Sequence, residues 1–482
     1  MLAVSWIDLV IVIGYLLAMM GVGIWSSRKV RNLADYSLAG RSLGYPVMIG
    51  TLVGATIGAA STFGKAAKAH EVGSFLFLAT LGYPIGLILF GFFSSQLRKA
   101  ELWTIPEAIR MRYGRGMETV IGAVMLVAVI AVFGVQIIGM GAIFSSVGKS
   151  FGLTSNSAIL IAGSVIIFYN MVGGLFAVAY TDLIQSLIMV VGVGILLPAA
   201  VWSDVAATGN AWEILKPQPG NFLGGMTPLY VISIFLIDIP FCLVDPGLWQ
   251  RANAARNEKV IRRSMFVTAG VYLYWSLVCV ALGVLGAALI PNIAPQYGSV
   301  DALIPALAIR SLPPVALGFC LTGLMAVMMS TASVVLLITG TTLAHDLIKP
   351  LRPQTSERTL LISAKITVLI VGIFGIGFAL CLKGIFDLLL LAFAIYISGV
   401  FFPTLAALYW DRATKAGAVA SSVIATMVVV ILYALDKPFG IEPIMVSLVV
   451  SLLTMVMVSL ATHDPLTATP RLLGKTGNRV GR

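Results

Sequence analysis

Asp182 lies inside a stretch, residues 178–198, that is otherwise apolar and long enough to cross a lipid bilayer. A carboxylate costs about 2.5 kcal/mol or more at the centre of a spanning helix, so it is rarely found there without a partner. We expect that partner to be a cation. A second apolar stretch supplies matching neutral oxygens in Ser330, Thr331 and Ser333. Hydroxyls in membrane helices also bond back to carbonyls one turn earlier, so this pattern alone leaves both interpretations open.

The composition indicates which elements must position these residues. The 482-residue chain is 59% hydrophobic and 11% charged, with a mean hydropathy of +1.00, whereas soluble domains carry about 25% charged residues. About thirteen apolar stretches of roughly 17–30 residues each can span a hydrocarbon core of about 30 Å as a helix. We therefore predict an all-α polytopic protein of the cell membrane, surrounded by the lipid bilayer. The stretches are residues 5–26, 44–69, 74–96, 117–148, 156–174, 178–202, 228–250, 264–290, 313–344, 360–382, 384–409, 415–435 and 442–461.

The net charge of +11 follows from the topology of such a chain. If the N-terminus lies outside, most of the 31 Lys and Arg fall in loops that face the cytoplasm, among them residues 27–43, 97–116 and 251–263. This positive-inside bias predicts an N-out and C-in orientation. It assigns Arg251 to a cytoplasmic loop, and it explains the basic charge without a nucleic-acid partner.

We predict a single transmembrane domain over residues 1–461, followed by a short basic cytoplasmic tail, 462–482. Two spans look discontinuous: residues 50–58 combine three glycines with two threonines, and residues 238–247 combine two prolines, a glycine and two acids. Interior proline removes a helical hydrogen bond, and glycine lowers the cost of unwinding. An ordinary proline kink in a packed bundle is the alternative.

The positions of these two spans suggest an internal repeat. After the first span, they are the first and sixth of the next ten, as expected of two five-helix inverted repeats that each open with a discontinuous helix. The predicted repeats cover about 44–202 and about 228–409, and the extra helices are 5–26, 415–435 and 442–461.

Several stretches, in this order and spacing, resemble the sodium/solute symporter family, whose members include proline, sugar, pantothenate and sialic acid symporters. The resemblance implies thirteen helices, an N-out orientation and a leucine-transporter-like core of two inverted repeats. The matching stretches are residues 35–44, 104–114, 173–185, 249–251, 329–333 and 403–410.

The same resemblance implies the positions of the bound ion. Asp182 matches an aspartate near the ion path of the family. Some members hold a second sodium with this aspartate; Ser333 fits that site, but Val334 replaces an expected serine, so we predict one sodium. Its ligands are the carbonyls of Gly54, Ile57 and Val327 and the hydroxyls of Ser330 and Thr331.

The sequence indicates the solute-binding residues less clearly than the ion ligands. Lys65 is unusual in a span and either snorkels to the outer interface or meets an anionic solute group. Asp238 would pair with Lys65, bind a solute amine or take a proton, and Asp245 either contributes to the site or caps the following helix. A lysine with an aspartate favours an amino-acid-like solute or a small carboxylate over a neutral sugar. The candidate solute residues are Thr56, Lys65, Asp238, Phe241, Phe393 and Tyr396.

Together these features predict a secondary transporter in which sodium drives a small organic solute into the cell by alternating access. Proton coupling on the same fold and a transporter-like membrane sensor remain the alternatives. No catalytic motif is found and the three histidines are far apart in sequence, so we do not expect an enzyme. The oligomeric state and the identity of the solute stay open.

Overall fold

The structure is a computed structural model that describes residues 4–148, 154–209, 212, 214, 226–293, 295, 300–381, 385–435, 442–464 and 471–473. These residues form helices joined by short segments, and the only β-type pairing among them is an isolated bridge between Leu43 and Ala255. The first half contains α1 Trp6–Ser27, α2 Leu33–Leu38, α3 Tyr45–Thr56, α4 Lys65–Val72, α5 Leu76–Ala79, α6 Gly82–Ala100, α7 Ile105–Tyr113, α8 Arg115–Gly148, α9 Ser155–Val191 and α10 Leu197–Ala206. The second half contains α11 Pro228–Val244, α12 Pro246–Ala254, α13 Glu258–Leu289, α14 Leu303–Ser311, α15 Ala316–Thr341, α16 Lys349–Leu351, α17 Glu357–Cys381, α18 Ile385–Tyr409, α19 Lys415–Ala434 and α20 Pro443–Thr462.

The all-α membrane class predicted from hydropathy is confirmed. Within the described residues, 10 helical segments are long and apolar enough to cross a membrane, or up to 11 if a bent pair counts as one span. One of the 10, Ile159–Ala206, runs for 48 residues over two predicted stretches, and the shorter apolar helix Phe393–Tyr409 comes in addition. The count of thirteen and the N-out orientation stay predictions. The proposed tail, 462–482, lies largely outside the described residues.

Gly174 divides this long segment between its two predicted spans. Its backbone has φ +54° and ψ −148°, a conformation that residues with a side chain rarely adopt. An added Cβ would also lie 2.5 Å from Cδ2 and 2.6 Å from the carbonyl oxygen of Tyr36 on α2. The glycine therefore lets α9 change direction where α2 packs on it.

Gly174→Ala is expected to lower the free energy of unfolding by about 1–3 kcal/mol, because the new Cβ adds backbone strain and a clash with Tyr36. Thermal unfolding of the detergent-purified protein measures the change. Gly14→Ala is the matched control, since Gly14 lies within α1 and an added Cβ there meets nothing within 4 Å. Equal unfolding temperatures for the two variants would contradict the role of Gly174.

Both spans predicted to be discontinuous are interrupted, each at one residue in extended conformation. The first stops at Thr56, Ile57 is extended (φ −99°, ψ 106°), and the chain resumes through a π-helical turn, Ala60–Gly64, at an angle of 65°. The second is interrupted at Asp245 (φ −67°, ψ 115°), between α11 and α12. Pro240, in contrast, lies inside α11 without ending it.

The chain after the second break differs from the prediction. Residues 251–263 were expected to form a loop, yet α12 continues to Ala254 and α13 begins at Glu258. Arg251 is therefore not a loop residue but is fully buried. At this end of the molecule the Leu43 amide donates to the Ala254 carbonyl at 3.2 Å, which joins the segment before the first broken span to the end of the second broken span.

Candidate functional site

The break after α3 releases backbone carbonyls in the middle of the molecule. In a continuous helix the amides of Gly58 and Ala59 would bond the carbonyls of Gly54 and Ala55. Instead the Gly58 amide donates to Ser61 Oγ at 2.9 Å, and the Ala59 amide donates to Gln136 Oε1 of α8 at 3.2 Å. The last carbonyls of α3, at the negative end of the helix dipole, are thereby available to a cation.

Hydroxyl groups of α15 face this break. Thr331 Oγ1 is 3.2 Å from the carbonyl oxygen of Ile57 and 3.4 Å from that of Val327. Ser330 Oγ is also 3.2 Å from the Val327 carbonyl oxygen, so the two hydroxyls converge on the same backbone oxygen. The hydroxyls bond back to a carbonyl one turn earlier, which is one alternative raised by the sequence, and they also face the broken span, while their role as cation ligands stays a prediction.

Gly54 allows this close approach. A Cβ at this position would lie 3.1 Å from the Cβ of Ser330 and 3.1 Å from the Cγ of Asp182. The end of α3 is thus wedged between α9 and α15. The structure therefore brings together all five residues predicted as sodium ligands: Gly54, Ile57, Val327, Ser330 and Thr331.

Asp182 has a protein cation as its partner. Its Oδ2 accepts a hydrogen bond from Thr51 Oγ1 at 2.6 Å and lies 3.1 Å from an Nη atom of Arg251, and both charged side chains are completely buried. Arg251 Nε also donates to the carbonyl oxygen of Thr51 at 3.0 Å. The three residues join α9, α3 and α12, so both broken spans are fastened to α9 beside the predicted sodium ligands.

Ser333 belongs to a separate polar cluster. Its hydroxyl donates to the Met329 carbonyl oxygen at 2.6 Å and is hydrogen-bonded to the hydroxyl of Tyr169. Gln185 donates to the hydroxyl of Tyr15 at 2.8 Å on the same side of α15. These contacts link α1, α9 and α15, and the possible second sodium site at Ser333 stays untested.

A cavity of about 340 Å³ adjoins the broken spans. Thr331 and Gly58 belong to its wall, so the cavity meets the proposed ion site directly. All six residues predicted to contact the solute line it: Thr56, Lys65, Asp238, Phe241, Phe393 and Tyr396.

The predicted aromatic residues of the cavity make different contacts. The rings of Phe241 and Phe393 meet edge to face with centroids 4.8 Å apart, which forms an apolar wall. Tyr396 donates its hydroxyl to the Val244 carbonyl at 2.5 Å and so satisfies a backbone group at the second break. Asp245 caps α12, because its Oδ1 accepts from the Gly247 amide at 2.6 Å and from the Leu248 amide at 3.1 Å.

Comparison with known proteins identifies the family. A family model described as the sodium:solute symporter family matches residues 36–425, most of the chain. The chain belongs to the sodium:solute symporter family. A sodium/proline symporter of Staphylococcus aureus is 24% identical over 485 aligned residues, which cover 96% of this chain and 94% of the relative.

Solved structures establish the fold of this symporter family member. The substrate-bound, outward-open state of a Na⁺-coupled sialic acid symporter matches with a TM-score of 0.76 at 16% identity, over 97% of this chain and 99% of that one. MhsT in complex with L-phenylalanine matches with a TM-score of 0.55 at 15% identity, over 86% and 98%. The leucine-transporter-like fold is thus confirmed.

Sequence reasoning missed three residues of the symporter's central region. Arg251 was assigned to a loop because its charge ends an apolar stretch, although it belongs to the matched stretch 249–251. Gln136, which holds the first break open, is visible only as a lone amide in the stretch 117–148. Tyr272, whose hydroxyl is 3.2 Å from the Lys65 ammonium, has no distinguishing pattern.

Proposed function

We propose that this symporter family member moves a small organic solute into the cell together with sodium, which binds where the break between α3 and α4 meets α15. One observation carries the proposal: Thr331 Oγ1 lies 3.2 Å from the Ile57 carbonyl oxygen, across the two elements that would share the ion. Unwound carbonyls and the C-terminal end of a half-helix are the groups that hold sodium in transporters of this architecture. Neutral oxygens favour a metal ion over a proton, which requires a titratable acceptor.

Coupling between sodium and solute follows because the proposed ion site and the cavity share part of one wall. Thr331 and Thr56 line the cavity, while Thr331 also touches the proposed ion ligand Ile57. A sodium ion that draws the break onto α15 would fix the cavity wall in the shape that binds the solute. Ion and solute then favour the same conformation, and this differential affinity is all that coupling requires.

The solute is expected to be an amino acid or a small carboxylate. The cavity volume of about 340 Å³ is at the lower end of the range for ligand pockets, about 300–1,000 Å³, which favours a compact molecule. Lys65 provides a positive charge for a carboxylate. Two similar proteins are named for such compounds, proline in one case and sialic acid in the other.

A stability screen tests this proposal. The detergent-purified protein is heated with each member of a metabolite library, once in sodium and once in potassium. Binding at about a hundred times the dissociation constant adds roughly 2.7 kcal/mol, which raises the unfolding temperature measurably. We expect one chemical class of solute to stabilise only in sodium. Stabilisation that is equal in potassium would contradict sodium coupling and favour a proton-coupled transporter or a sensor.

A further inference from the structure

Two unlike charges face the cavity from the two broken spans. Lys65 lies at the start of α4, after the first break, and Asp238 lies on α11, before the second. Both side chains line the cavity, and among the residues that the structure describes no ion pair joins them. The two opposite charges attract each other, but a buried charge without a partner of opposite sign in direct contact is costly, so each of the two groups favours a ligand that supplies one.

The surroundings of Lys65 leave room for such a ligand. Its ammonium lies 2.7 Å from Ser276 Oγ, 3.2 Å from the Tyr272 hydroxyl and 4.3 Å from the centre of the Tyr272 ring. These partners are neutral and accept two of the three N–H groups that a lysine offers. Lys68, one turn further, has a carboxylate of its own in Glu71 at 2.9 Å. Lys65 is therefore the cation of this helix that remains for a solute.

We propose that the solute is a zwitterion that places its carboxylate at Lys65 and its ammonium group at Asp238. This inference rests on the proposed sodium symport and adds the charge pattern of the solute to it. The hydrocarbon part of the molecule contacts the apolar wall formed by Phe241, Phe393 and Val132. Because α4 and α11 belong to different broken spans, the bound zwitterion links the two spans through its own two charges.

The same pair of charges rejects other small solutes. A neutral sugar supplies neither side chain with a charged group in direct contact. A carboxylate without an amine pairs with Lys65 but brings a second negative charge toward Asp238. A simple amine pairs with Asp238 but brings a second positive charge toward Lys65. Losing one charge-assisted hydrogen bond of about 1.5–3 kcal/mol weakens binding about 10- to 150-fold.

The test uses two series of compounds, each an amino acid with an acid and an amine of similar shape. The purified full-length protein in sodium is titrated with L-proline, cyclopentanecarboxylate and pyrrolidine, and with L-leucine, 4-methylpentanoate and 3-methylbutylamine, and thermal stability gives each dissociation constant. We expect an amino acid to bind about 10- to 150-fold more tightly than its matched acid and amine. An acid that binds as well as its amino acid, or a panel of all natural amino acids in which none stabilises the protein, would overturn the proposal.

Two variants assign the charges to residues. Asp238→Asn is expected to reduce the preference for the amino acid over the matched acid, and Lys65→Gln to reduce its preference over the matched amine. Lys365→Gln, a lysine of α17 outside the cavity, should change neither ratio. Unchanged ratios in the first two variants would overturn the assignment.

A readout without solute separates this inference from the sodium proposal. Sodium alone should stabilise wild type and both variants equally, because neither side chain belongs to the ion ligands. If sodium stabilises but the zwitterion preference is missing, only the inference fails; if sodium has no effect on wild type, the proposed function fails. Should a variant not fold, the compound series on the wild-type protein decides alone.

Discussion

Ser330→Ala and Thr331→Val are each expected to raise the sodium concentration for half-maximal stabilisation about 10- to 150-fold. Each substitution removes one oxygen that faces the first break, and a hydrogen-bond-strength contact to a charged group contributes about 1.5–3 kcal/mol. The effect should be specific to sodium affinity, because both hydroxyls otherwise bond only to backbone carbonyls. Unfolding temperature as a function of sodium concentration, at constant ionic strength with choline as the replacement ion, measures it.

Thr339→Val is the matched control for this prediction. Thr339 lies on the same helix, is as fully buried as Ser330 and donates to the Leu336 carbonyl oxygen at 2.7 Å, but it does not line the cavity or contact the break. Its sodium affinity should equal that of wild type. A wild-type sodium response in Thr331→Val would place the ion elsewhere.

Arg251→Met is expected to destabilise the folded protein by about 3–5 kcal/mol. The substitution leaves the Asp182 carboxylate completely buried with Thr51 as its remaining hydrogen-bond donor, and an uncompensated buried charge is far more costly than the loss of a surface ion pair. It also removes the link between α12 and the Thr51 carbonyl. Thermal unfolding in detergent and the yield of monodisperse protein report the loss.

Two further variants test whether the charge itself is responsible. Arg263→Met changes an exposed arginine of α13 and should leave stability within about 0.5 kcal/mol of wild type. The double variant Arg251→Met with Asp182→Leu removes both charges and should recover most of the stability, since replacing a buried ion pair by apolar residues is often neutral. A double variant as unstable as Arg251→Met would indicate a packing defect instead.

The positions of the membrane spans could be predicted from sequence because the length of an apolar stretch is enough to specify a membrane helix. The predicted stretches 5–26, 415–435 and 442–461 differ by one residue at most from either end of Trp6–Ser27, Lys415–Ala434 and Pro443–Thr462. Glycine and proline likewise indicated which two spans are interrupted. They placed the breaks within residues 50–58 and 238–247, which contain Ile57 and Asp245, but not at the individual residue, because each break depends on partners from other helices.

The buried ion pair between Asp182 and Arg251 shows why contacts between distant parts of the chain could not be predicted from sequence. Hydropathy counts an arginine after an apolar stretch as the start of a loop, whereas the partner that keeps Arg251 inside lies 69 residues away in sequence. Gln136 poses the same difficulty, since its side chain accepts the hydrogen bond of the Ala59 amide, which in a continuous helix would go to the Ala55 carbonyl. The predicted sodium ligands came from resemblance to the family, because three of them would act through carbonyls that any residue possesses.

Equilibrium binding of radiolabelled sodium to the purified protein tests the central claim most directly. Wild type and Thr339→Val should bind sodium saturably and with equal affinity in the absence of solute, and Ser330→Ala and Thr331→Val should bind it about 10- to 150-fold more weakly. Wild-type affinity in both of these variants would contradict the assignment of sodium to the junction of the first broken span with α15.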